Sequence, residues 1–273
     1  MKRNARIEKT EIGKAEIEKD IELIVFYKEE VDRERAEALA AHLGVAAVSE
    51  EEEKNRAKFS LSYTENGLAL VGDRLSLCGD FLHMLPRLRY NNLTHEILVK
   101  AGKLKNGKEH PIAMDATAGM GEDSLLLAAA GFEVDLYEYD PIIAALLNDT
   151  VERSKKDERL AEIVNRMHVH EENSVEAMLR RAREGDIPDL VVLDPMFPGK
   201  KKNSLTNKKL QMIQQFERPC EDESGLLNAA KVLNPLKIVI KRPLKGPYLG
   251  DVKPAYSLQG KTIRYDCILR ENG

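Results

Sequence analysis

The chain has 273 residues, 42% apolar and 32% charged, with a formal net charge of −4 at pH 7. That length holds one substantial core plus a smaller lobe, and the charge excludes a body coated in basic surface. No window approaches the roughly 20 uncharged apolar residues of a membrane span, and the basic start Met1–Arg6 lacks the apolar segment of a signal peptide, so a cytoplasmic protein is expected.

Residues 21–27 read as a strand by their β-branched and aromatic content, and Val31 to His42 as a helix stopping at Gly44. Residues 59–63 alternate with period two, and 67–71 and 74–78 flank Gly72-Asp73, a hairpin signal. Asn92 to Ile97 opens a short helix, and Gly102 to His110 is a polar linker. Residues 1–105 are therefore expected to form a small mixed α/β lobe. After Pro111 the rhythm changes: strand-like runs at 111–115, 132–138, 167–170, 188–194 and 236–241 alternate with helix-like runs at 121–130, 141–153, 173–183, 207–217 and 222–233. This alternation predicts an α/β domain over 106–273 with a doubly wound, mostly parallel sheet. Residues 255–258 and 262–269 predict a closing antiparallel hairpin.

Cys78, Cys220 and Cys267 are odd in number and far apart, as reduced thiols are. The six histidines show no metal spacing; His168 and His170 alternate along one strand face, so no metal is expected.

In a doubly wound sheet the ligand sits at the carboxyl ends of the strands, near the switch point. Asp115 closes the first strand of the second domain, and Gly119 and Gly121 then allow a tight turn that a nucleoside can approach closely. Glu122 and Asp123 begin the helix. A dinucleotide needs that helix start for its pyrophosphate, and two acids there repel it, whereas a cofactor carrying a sulfonium and an ammonium is suited by them. S-adenosylmethionine is therefore favoured over NAD. Glu138, which ends the second strand, can accept both ribose hydroxyls, with Asp140 as second choice or simply the cap of the next helix. Asn173 and Ser174, after the third strand, either bond the adenine or cap a helix.

The apolar run Leu190 to Leu193 ends in Asp194-Pro195-Met196-Phe197-Pro198. A carboxylate from Asp194 and the carbonyl of Pro195 can accept the N–H bonds of a planar amine while the Phe197 ring stacks on its heterocycle. Together with the glycine loop, this points to methylation of an exocyclic base nitrogen. Lys200, Lys201, Lys202, Lys208 and Lys209 follow with no acid among them, and Lys241-Arg242 ends the next strand. These seven residues are candidates for gripping RNA phosphates.

Asp115 to Asp123, Asp140 to Leu147, Leu193 to Pro198 and Val239 to Pro243 resemble, in order, the small-subunit ribosomal RNA guanine-N2 methyltransferases of the J type. The resemblance runs from about residue 60 to the C-terminus. It implies a Rossmann-like class I methyltransferase fold, S-adenosylmethionine as donor, and a guanosine in 16S rRNA or the small ribosomal subunit as target. Carried over position by position, it implies cofactor contacts from Glu122, Asp123, Glu138, Tyr139, Asn173, Ser174 and Asp194. Residues 87–96, Arg-Leu-Arg-Tyr-Asn-Asn-Leu-Thr-His-Glu, depart from the glycine-rich stretch associated with the family. The alternatives are methylation of another base or a protein glutamine, and a non-catalytic RNA-binding module on the same scaffold.

Overall fold

Two sheets organise the chain in the computed structural model, which describes residues 23–50, 58–72, 75–105, 108–195 and 222–270. The first contains β1 (Leu23–Tyr27), β2 (Ala46–Ser49), β3 (Phe59–Thr64), β4 (Gly67–Gly72) and β5 (Leu75–Cys78) in the order β2-β1-β3-β4-β5. β1 runs parallel to β2 and β3, while β3, β4 and β5 form an antiparallel meander. Its helix α1 (Arg33–Leu43) follows a 3-10 turn at Glu30–Asp32, so it starts two residues later than the pattern predicts. It stops at Gly44, where φ is +69° and the glycine N–H reaches back to the Ala40 carbonyl.

Three short helices then cross over: α2 (Leu85–Leu88), α3 (Tyr90–Leu93) and α4 (Ile97–Gly102). Phe81, Met84, Leu93, Leu98 and Ala101 from this segment are buried in one cluster with Leu125, Leu136 and Val192. They therefore pack with the core of the second sheet.

That sheet has the order β11-β12-β10-β9-β6-β7-β8. Its parallel strands are β6 (Ile112–Asp115), β7 (Glu133–Glu138), β8 (Met167–Glu171), β9 (Leu190–Leu193) and β10 (Lys237–Pro243). β11 (Tyr256–Gln259) and β12 (Ile263–Leu269) close it as the expected antiparallel hairpin, β12 pairing with β10. The connecting helices are α5 (Glu122–Ala129), α6 (Pro141–Ser154), α7 (Ala161–Val164), α8 (Ser174–Glu184) and α9 (Glu223–Leu233). The helix expected over 207–217 lies outside the described residues.

Strand β9 is buried along its length and β6 from Ala113 onward, because helices cover both faces of a parallel sheet. From β6 the chain winds to β7 and β8 on one side, then returns to β9 and β10 on the other. The connections leaving β6 and β9 therefore diverge, and the crevice opens between Asp115 and Asp194.

Helix α6 belongs to both halves. Ile142, Ile143 and Leu146 join the core of the first sheet beside Val25, Phe59 and Leu61, whereas Leu147 and Val151 join that of the second. Polar ties reinforce the seam: the Leu68 N–H donates to Asp149 (2.9 Å), and Arg153 donates to the Gly79 carbonyl (2.7 Å).

Candidate active site

The crevice is built from three strand ends and the loops that leave them. Asp115 is buried at the end of β6, where its carboxylate accepts the Ser124 hydroxyl (2.6 Å) and the Thr117 N–H (3.1 Å). Burial pushes its pKa up to about 6, against the pull of those two donors. The loop then turns through Gly119 (φ +52°) and Gly121 (φ +79°). A Cβ at Gly121 would stand 2.6 Å from the Leu147 side chain, so both conformation and space call for glycine there.

Glu138 at the end of β7 is tied to the same loop. One oxygen accepts the Gly119 N–H and the other the Asp140 N–H, both at 2.9 Å. These bonds aim the carboxylate at the turn and leave a lone pair on each oxygen for a diol. Burial raises its pKa to about 7 even though the amide donors lower it. Tyr139 beside it is about half exposed.

Asp140 is the helix cap: its side chain accepts from the N–H groups of Ile142 and Ile143. Asn173 does the same for α8, accepting from Val175 (2.9 Å) and Glu176 (3.4 Å). The capping reading therefore holds for Asn173, whose amide nitrogen still faces away from that cap as a donor. Ser174 opens the helix next to it.

Asp194 follows β9. Its N–H donates to the Thr117 hydroxyl (2.6 Å), which ties the two diverging loops together across the crevice. Pro195 is buried, and the Asp194 side chain is 38% exposed. Phe197, Lys200, Lys201, Lys202, Lys208 and Lys209 lie outside the described residues.

Lys241 corrects one expectation. Instead of lying on an RNA-facing rim, its ammonium sits 2.7 Å from Asp123 Oδ2 and 2.8 Å from Asp194 Oδ2, bridging the helix start to the Asp-Pro turn. Burial alone would lower its pKa, but the two carboxylates raise it well above the usual lysine value. In return, burial raises the Asp194 pKa and Lys241 pulls it back. Arg242 is also corrected. Its side chain is turned inward with no exposed surface, donating to the Pro247 carbonyl (3.0 Å) and Glu223 (3.3 Å), out of reach of a phosphate.

Several contributors carry no mark in the sequence: Thr117, Ser124 and Tyr265. Tyr265 is buried on β12, its pKa raised by burial and then by Asp123. The signal available for Lys241 was its position at the end of the strand beside Asp194, since basic residues at that place face the crevice as readily as the solvent.

His168 and His170 pair with Glu133 and Asp135, both at 3.2 Å, and His170 stacks on Tyr137 at 4.7 Å. Among the described residues no group of three or more His, Cys, Asp or Glu is set to hold a metal ion. Among them, too, no helix is long and apolar enough to cross a membrane.

The acidic turn suits a cationic nucleoside. The Glu138 carboxylate, the glycine turn and the acids Glu122 and Asp123 are of the chemistry that fits S-adenosylmethionine, and Asp194 stands across the crevice, tied to the loop through Thr117.

Known proteins give the same picture. The model of the SAM-dependent methyltransferase family matches residues 45–270. A Pseudomonas savastanoi pv. phaseolicola protein named ribosomal RNA small subunit methyltransferase J is 37% identical over 240 residues, which cover 86% of each chain. The protein of that name from Pseudomonas aeruginosa (strain LESB58) is 36% identical over 239 residues, covering 85% of this chain and 89% of its own. The crystal structure of a SAM-dependent methyltransferase from Neisseria gonorrhoeae superposes with a TM-score of 0.69 at 25% identity, covering 91% of this chain and 97% of that one.

Proposed function

Since the chain belongs to the SAM-dependent methyltransferase family, among relatives named ribosomal RNA small subunit methyltransferase J, we propose that it methylates the exocyclic N2 of a guanosine in 16S rRNA within the small ribosomal subunit. S-adenosylmethionine, when bound, supplies the electrophilic methyl group. Glu138 accepts the ribose hydroxyls, and Gly119 and Gly121 let the nucleoside approach the backbone. Glu122, Asp123, Tyr139, Asn173 and Ser174 complete its surroundings, and Asp115 holds the loop in shape through Ser124 and Thr117.

The amine lone pair of guanine is delocalised into the ring, so the chain's task is orientation rather than prior deprotonation. Asp194 and the Pro195 carbonyl accept the amine N–H bonds and turn the nitrogen toward the donor. Phe197 stacks on the extruded base. The observation that carries this reading is the placement of Asp194 at the switch point, bonded through its own N–H to the cofactor loop at Thr117. Lys200 to Lys202, Lys208 and Lys209 are assigned to flanking phosphates, which places a basic segment directly after the catalytic turn.

The test is methyl transfer from labelled S-adenosylmethionine to small subunits that lack the modification, followed by nucleoside mass spectrometry. Labelled N2-methylguanosine is expected. Label in another nucleoside, or in protein alone, overturns the acceptor assignment.

A further inference from the structure

Residues 81–95, Phe-Leu-His-Met-Leu-Pro-Arg-Leu-Arg-Tyr-Asn-Asn-Leu-Thr-His, contain two arginines and two histidines and no acid, in a chain whose net charge is −4. The structure sorts them into an anchor and a display. Phe81, Met84 and Leu93 are buried in the central core. Arg87 is clamped to Glu96 by two hydrogen bonds of 2.7 and 2.8 Å. Asn92 Nδ2 donates to the Pro86 carbonyl (2.7 Å), and His95 Nδ1 meets the Asn91 carbonyl at 2.6 Å. On this braced turn Arg89, Asn91, Asn92, Thr94 and His95 are exposed, and the Tyr90 ring is 79% exposed.

The segment adjoins the crevice. His83 Nε2 lies 3.3 Å from Glu122 Oε1 at the start of α5. Arg87 lies within electrostatic reach of Asp123 and Glu122. A displayed tyrosine with arginine and asparagine neighbours is the chemistry of single-stranded RNA recognition. The ring stacks on a base, the guanidinium meets a phosphate, and the amides bond base edges. The bracing matters because the turn's backbone, whose Arg89 and Tyr90 carbonyls accept from Asn92, Leu93 and Thr94, is already ordered and loses little freedom when RNA arrives.

We propose that residues 83–95 form an RNA-docking surface beside the active site, with Tyr90 stacking on a base near the target nucleotide and Arg89 contacting a phosphate. This rests on the ribosomal RNA reading above and adds to the contacts assigned there a surface formed by a different stretch of the chain.

The experiment compares Tyr90→Ala, Tyr90→Phe and Arg89→Gln with the parent enzyme on small subunits lacking the modification and on protein-free 16S rRNA. Loss of one stacked base predicts that Tyr90→Ala raises KM for subunits and Kd for protein-free rRNA by about tenfold. kcat, the Kd for S-adenosylmethionine and Tm stay at parental values, and Tyr90→Phe behaves as the parent. Arg89→Gln lowers the slope of log Kd against log salt by about one. Parental rRNA affinity in Tyr90→Ala overturns the proposal. So does weakened action on subunits with unchanged affinity for protein-free rRNA, which assigns the surface to a ribosomal protein. A parent enzyme that leaves subunit RNA unlabelled rejects the functional reading itself, which separates the two failures.

Discussion

The two ends of the central sheet use the same residue types in opposite ways. At the amino-terminal end, Asp189 ahead of β9 accepts both the Ile112 N–H (2.8 Å) and Lys108 (2.7 Å). The Lys237 ammonium there is capped by the carbonyls of Ala101 and Lys103. Backbone groups take part in answering each charge, with Lys108 also pairing with Asp189, and the result is a closed seam between α4, β6, β9 and β10. At the carboxyl-terminal end, Asp115, Glu138 and Asp194 are packed close enough to water-poor surroundings that all three pKa values rise. There the charges answer one another through Lys241 and through loops that a ligand can reach. One end spends its polar groups on holding strands together. The other keeps the carboxylates of Asp115 and Glu138 poorly solvated, which costs stability and strengthens their grip on a ligand.

Four substitutions break or sharpen this contrast. Asp194→Ala removes the acceptor for the amine and is expected to lower kcat by at least about a thousandfold. Tm and S-adenosylmethionine-independent RNA binding should hold; normal methylation in single-turnover assays would show the mechanism to be wrong. Lys241→Met leaves Asp123 and Asp194 facing each other without a cation. Lys241 lowers the Asp194 pKa, so its loss raises that pKa and shifts the acid limb of the kcat/KM profile to higher pH. A fall of about ten- to a hundredfold near neutral pH, partly recovered in alkali, is the expected profile. A lower Tm with an unshifted profile would make the lysine merely structural.

Glu138→Gln addresses the donor side. With a pKa of about 7, Glu138 takes up a proton as pH falls below neutrality and loses an acceptor for the ribose. Parental affinity for S-adenosylmethionine should therefore weaken by up to about tenfold per pH unit below 7. Calorimetry on Glu138→Gln should show weaker binding at pH 8 and no such slope until Asp115 titrates near 6. The smallest functional effect belongs to the far end. Asp189→Ala strips the acceptor from Ile112 and should cost about 1–3 kcal/mol of stability in denaturant unfolding, with kcat within about twofold of the parent.

The sequence was most readable where local pattern and tertiary role coincide. β9 and the Ile238–Ile240 stretch of β10 are apolar runs because helices cover both faces of the sheet, while β7 alternates apolar and charged residues. The loops after them carry glycines or an Asp-Pro because function sits there. β2 went unseen since Ala46-Ala47-Val48-Ser49 has no alternation; its pairing with β1 makes it a strand. α7 is a single turn with too few residues to show a period. In the site, Asp115 and Glu138 were legible as the last residues of strands and Asp194 as the residue that follows one. The Lys241 bridge was not, because it depends on β10 lying beside β9 and on Asp123 lying 118 residues away in the chain. Arg242 misled for a related reason. Alternation along β10 turns one of two adjacent basic side chains toward the crevice and the other into the protein.

The shared helix α6 gives the amino-terminal lobe a standing that its sequence does not advertise. Asp140, which caps α6, also lends its N–H to Glu138, and within its first two turns the same helix fills the lobe's interior with Ile142, Ile143 and Leu146. Stripped of the lobe, the helix that steadies Glu138 would carry a bare oily flank into water. The lobe is thus less an appendage than a buttress: its inner face holds the helix whose cap residue is hydrogen-bonded to Glu138.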